Sequence, residues 1–103
     1  MKVYLKKHVQ ELSEVFAACD EDLLGKSIGK ISINERFYKG KLMEIPDALK
    51  ILEHAQNFNI IGKNIIKACV DNGIIVEDSY LKIENIPLAM KIFIYSKSSC
   101  ARN

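Results

Sequence analysis

The apolar run Val15-Phe16-Ala17-Ala18-Cys19 stops at three acids, Asp20, Glu21 and Asp22, and reaches Gly25 a few residues later. A run this short and closely bounded reads as a buried strand, not a helix. The preceding segment, Lys2 to Val9, sets Val3 and Leu5 against Tyr4 and Lys6, the alternation of a strand buried on one face. With a turn over Gln10 to Ser13 between them, the two predict an antiparallel hairpin. Asp20 has the chemistry to cap a short helical turn over Glu21 to Leu24, and Gly25 can take the positive φ that ends it.

The remaining pattern alternates helix and strand signals. Ile31, Ile33 and Phe37 fall at strand spacing, and Lys39-Gly40-Lys41 reads as a turn. Pro46 and Asp47 suit the first turn of a helix, along which Ala48, Ile51, Leu52 and Ala55 form one apolar stripe. Asn57-Phe58-Asn59 interrupts it. Ile61, Ile65, Ala68 and Cys69 then mark a second helix, capped by Asn59 and ended at Asn72-Gly73, which predicts an αα-hairpin. Within it, Gly62 is a poor helix former unless a close neighbour needs its missing side chain. Ile74 to Val76, Tyr80 to Ile83 and Ala89 to Tyr95 read as strands, separated by Glu77-Asp78-Ser79 and by Asn85-Ile86-Pro87. The expectation is a single α+β domain over 1–95: a small mixed, largely antiparallel sheet packed against a helical hairpin, with a short helical turn after the second strand. A polar, flexible tail follows over 96–103.

At 103 residues, 49% of them apolar and 27% charged, the chain can bury one core without disulfides. No apolar run reaches the roughly 20 residues of a membrane span, and Met1 to Lys7 runs straight into a strand pattern with no secretory apolar region. The expected location is cytoplasmic, with no membrane partner. Cys19, Cys69 and Cys100 contain no CxxC pair, and His8 and His54 lie far from them in sequence. Neither a metal site nor a cofactor is expected, and the thiols read as reduced.

Gly25-Lys26-Ser27 imitates the end of a phosphate-binding loop, but Asp20 stands where the opening glycine belongs and would repel the anion. Cys19 next to Asp20 is a poor nucleophile, because a neighbouring carboxylate disfavours the thiolate. No catalytic residue is assigned on these grounds. A binding surface is better supported, since Lys26, Lys30, Arg36, Lys39 and Lys41 bring five cations against the single acid Glu35. Tyr38 is the ring expected to face outward and stack on a base, while Phe37, in register with Ile31 and Ile33, faces the core. Lys63 and Lys67, one helical turn apart, could extend the positive face.

Taken in order, Cys19-Asp20-Glu21-Asp22-Leu23-Leu24-Gly25, Phe37-Tyr38-Lys39-Gly40, Ala55 with Asn59 and Gly62, and Pro87-Leu88-Ala89 resemble the archaeal family catalogued as domain of unknown function 424. Leu88 departs from that pattern, which usually has histidine there. The resemblance implies a small archaeal α+β protein of uncharacterised activity, with a suspected link to translation or RNA. Its pattern carries over to Cys19, Asp20, Gly25, Phe37, Tyr38, Gly40, Asn59 and Gly62, with no role attached. The functional expectation is a non-catalytic module that contacts structured RNA or a ribonucleoprotein such as the ribosome. The alternatives are a protein–protein interaction module and, more weakly, an enzyme using Cys19 and Asp20.

Overall fold

Alternation along the first two strands sends side chains to both faces of a sheet, and both faces are covered. The computed structural model describes residues 1–92, so the end of the expected last strand (93–95), the tail and Cys100 lie outside the described residues. Strands β1 (Lys2–Gln10) and β2 (Ser13–Asp20) form the expected hairpin, with Gln10 paired to Ser13 and Val3 to Asp20. A 3₁₀ turn, Glu21–Leu23, follows, and Gly25 takes φ +85° at its end. The chain then makes a two-stranded ribbon, β3 (Ser27–Ile28) with β4 (Ile31–Ser32), and a one-turn helix, α1 (Glu35–Tyr38). Phe37 therefore lies on a helix and not at the end of a strand. Asn34 starts that helix because its side-chain oxygen accepts from the Phe37 amide at 2.8 Å.

Strand β5 (Lys41–Glu44) returns to pair with β1, and α2 (Ile45–Leu52) follows, with Pro46 in its first turn. The expected αα-hairpin does not form. Between the helices lies β6 (Phe58–Ile61), which pairs parallel to β2 and antiparallel to β8 (Ile86–Lys91). Helix α3 (Lys63–Asp71) starts after Gly62 and ends before Asn72-Gly73. Ile74 to Val76 is a loop and not a strand. The edge strand β7 (Leu81–Ile83) joins β8 through Glu84-Asn85, both at positive φ, so Pro87 lies inside β8 instead of in the preceding turn. The result is a mixed α+β fold with a six-stranded, mostly antiparallel sheet in the order β5-β1-β2-β6-β8-β7.

The period of two along the strands divides the core into two layers. Val3, Leu5, Ala18, Phe58, Ile60 and Ala89 point to one face, where Ala48 and Leu52 of α2 and Ile65, Ile66 and Cys69 of α3 cover them. Ala17, Cys19 and Ile61 point to the other, beneath Leu23, Ile28, Ile33 and Tyr38. The segment from the 3₁₀ turn to α1 is thus a second covering layer, absent from the expected arrangement. With sheet on both sides of it, β6 buries Phe58, Ile60 and Ile61, each worth about 1.5–3 kcal/mol relative to exposure.

Candidate nucleic-acid interface

The residues sharing the family pattern come together at two places. The first is the end of β2. Asp20 is buried, and its two carboxylate oxygens accept from the backbone amides of Asn64 and Ile65 at 2.9 and 3.0 Å. It caps α3 from the end of β2, on the face of the sheet that α3 covers, and makes no side-chain cap to the 3₁₀ turn beside it. Gly62 is the residue that permits this. It holds φ +135°, and a Cβ there would lie 2.5 Å from the Asp20 carboxyl carbon. The cap expected from Asn59 is therefore supplied by Asp20, and the close approach expected at Gly62 is to a carboxylate and not to a neighbouring helix.

The second place is the face under α1. Tyr38 is only 5% exposed, and its hydroxyl donates to Asn59 Oδ1 at 2.6 Å. It cannot be the outward stacking ring that the sequence suggests. The helix start at Asn34 rotates Tyr38 inward and leaves Phe37 half-buried at the margin. Burial, with Cys19 nearby, pushes the Tyr38 phenol up to about 12. Gly40 lets the chain turn from α1 into β5, since a Cβ there would collide with the Leu5 carbonyl.

Two residues that sequence reasoning left without a role fasten α1 to the sheet. Lys6 Nζ donates to the Arg36 carbonyl at 2.6 Å, and His8 Nε2 lies 2.8 Å from the Phe37 carbonyl, which can only accept, so that nitrogen carries the proton. The His8 ring also stacks on Phe37, with centroids 4.7 Å apart. The available signal was the alternation of Tyr4, Lys6 and His8 along β1, which looks like a solvent face until a second layer is known to cover it.

Cys19 is fully buried, and burial, aided by the charges of Asp20 and Asp22, pushes its thiol up to about 12. Protonated and without access, it has the chemistry of a core residue. Cys69 is held at about 12 by burial as well. Among the described residues no cluster of three or more histidine, cysteine or acidic side chains is placed to hold a metal.

The cations are on the surface. Lys26, Lys30, Arg36, Lys39 and Lys41 are all exposed, and among the described residues none of them enters an ion pair. Lys26, Lys30 and Arg36 belong to the second covering layer and Lys39 to the turn after it. Lys41 pairs with Leu5 on edge strand β5, so the basic surface wraps around that edge. Lys63 and Lys67 sit on α3, across the sheet from the second layer, and do not extend this surface.

The sequence pattern of the family described as "Protein of unknown function (DUF424)" matches residues 7–93. The chain belongs to that family. Among solved structures, this DUF424 chain is similar to an uncharacterized conserved protein from Methanopyrus kandleri, at 30% identity and a TM-score of 0.76, over 93% of this chain and 100% of that one. No curated protein matches it. Of the residues on which the resemblance rests, Asp20, Tyr38, Gly40, Asn59 and Gly62 are engaged here in a helix cap, close approaches and a buried hydrogen bond. The basic residues lie outside most of those positions.

Proposed function

We propose that the chain is a non-catalytic RNA-binding module that grips backbone phosphates of structured RNA, or of a ribonucleoprotein of the translation machinery, through the surface from Lys26 to Lys41. One observation carries this reading: five cations are exposed and free of ion pairs among the described residues, on a stretch holding a single acid. Cations already neutralised by protein carboxylates release fewer counterions on binding, so unpaired ones favour a polyanionic partner. With Tyr38 turned inward, phosphate contacts lead.

A filter-binding titration against ribosomal RNA at several salt concentrations tests it. Reversing Arg36, Lys39 and Lys41 to Glu should weaken binding at least about tenfold near 0.1 M salt and lower the slope of log affinity against log salt by about 1 per lost contact. Binding that ignores the reversal, or that lacks a salt slope, overturns the reading.

A second reading, a protein-docking module, is favoured by the β1–β2 hairpin tip, where Val9 and the fully exposed Leu12 present apolar side chains. Association with a protein that survives nuclease treatment would support it. A cytoplasmic location belongs to the same proposal, supported by the free thiols of Cys19 and Cys69. No described helix is long and apolar enough to cross a membrane.

A further inference from the structure

The second layer does not cover the whole of its face. Beyond Phe37, at the end of the sheet where β2 and β6 begin and β8 ends, the described residues form a cleft of about 340 Å³. Val15, Asn59, Met90 and Ile92 line it, with Phe37 on the side of the basic segment. Its volume lies at the small end of the range for ligand sites, which run to about 300–1,000 Å³ and pair apolar walls with a few fixed polar groups.

Two of its groups are held in place from behind. Phe37 is packed by the His8 ring on one side and meets the Tyr38 ring edge-on, with centroids 4.9 Å apart. Asn59 is fixed by the hydroxyl of Tyr38, which donates to Oδ1. That bond engages the oxygen, while the amide nitrogen makes no hydrogen bond among the described residues; with Asn59 lining the cleft, this nitrogen is the donor the proposal uses. An oriented N–H donor beside a pinned aromatic ring and a flexible methionine matches the needs of a planar heterocycle with an acceptor edge. Arg36, the residue before Phe37, is exposed and enters no ion pair among the described residues, so the segment that supplies the cleft's ring also carries an unpaired cation.

We propose that the cleft takes one unpaired nucleobase of a single-stranded or looped RNA, held between Phe37 and Met90 with Asn59 Nδ2 donating to an acceptor on the base. This rests on the phosphate-binding reading and deepens it, because it predicts a preference for unpaired over paired RNA that the cations alone do not supply. Every base carries an acceptor, so the site selects for strandedness and not for sequence.

The test uses the full chain with a single-stranded oligoribonucleotide carrying 2-aminopurine at one position, and with a fully paired RNA duplex of the same length. Met90 is 59% exposed, so Met90→Glu should fold normally while placing a carboxylate in the cleft; Phe37→Leu removes the ring and keeps an apolar side chain. Expected are quenching of 2-aminopurine by the unaltered chain and a loss of single-strand affinity of at least about fivefold in both variants, the lower end for one base–aromatic stack. Duplex affinity should stay within about twofold. Equal losses on both RNAs, or none in Met90→Glu, overturn the cleft while leaving the basic surface standing. Failure of the unaltered chain to bind either RNA overturns both proposals.

Discussion

Asp20 fastens the end of β2 to the start of α3: its two carboxylate oxygens accept from the amides of Asn64 and Ile65, residues far along the chain. Nothing local in Cys19-Asp20-Glu21 could reveal that, because the contact depends on β2 and β6 lying side by side. Gly62 was legible only as an anomaly, a glycine inside an apolar run. Removing the cap with Asp20→Ala leaves two helix amides without an acceptor and should cost about 1–3 kcal/mol in denaturant unfolding. The carboxyl also titrates. Burial, opposed by the Asn64 and Ile65 amides and aided by Asp22, raises it above the ordinary 3.8. The folded chain therefore keeps that proton to higher pH than the unfolded chain, and ionisation costs stability as pH climbs from about 4 through the folded-state value. In Asp20→Asn this titration is gone. The stability difference between the two proteins, measured at steps between pH 4 and 8, should shift in favour of the variant as pH rises.

Among the elements, β1 and helix α2 were legible because each has one dominant period, and β2 because its short apolar run is closed at once by Asp20-Glu21-Asp22. Strand β6 was not. Phe58-Asn59-Ile60-Ile61 is short and buried on both faces, and such a run lacks the alternation that separates strand from helix. Its neighbours Asn57 and Gly62 look like loop residues, so the run carries the signature of a break before a helix. The layer over the second face was missed for a related reason: its elements are a turn, a two-residue ribbon and a one-turn helix, each too brief to leave a period. Three side-chain bonds tie α1 down, from Tyr38, Lys6 and His8. Tyr38→Phe deletes one of them and should cost about 0.5–1.5 kcal/mol. In hydrogen exchange the amides of residues 27–38 should then lose protection while those of α3 keep theirs, a contrast that separates a loosened layer from a weakened fold.

At the scale of the whole molecule, the class of fold, the hairpin and the family were within reach of the sequence, whereas the strand order was not, since it is a property of distant pairings. The parallel contact between β2 and β6 has a further consequence, for the order in which the chain assembles. Both halves of the sheet contain neighbours close in sequence, β1 with β2 and β7 with β8. Their junction forms only when the long intervening stretch, carrying the second layer, β5 and α2, has been closed into a loop. Closure entropy must be met before the buried contacts of β6 repay it, which puts that seam late on the folding route. Stopped-flow chevrons should show Ile60→Val acting chiefly by speeding unfolding, and Ala17→Gly in the hairpin chiefly by slowing folding.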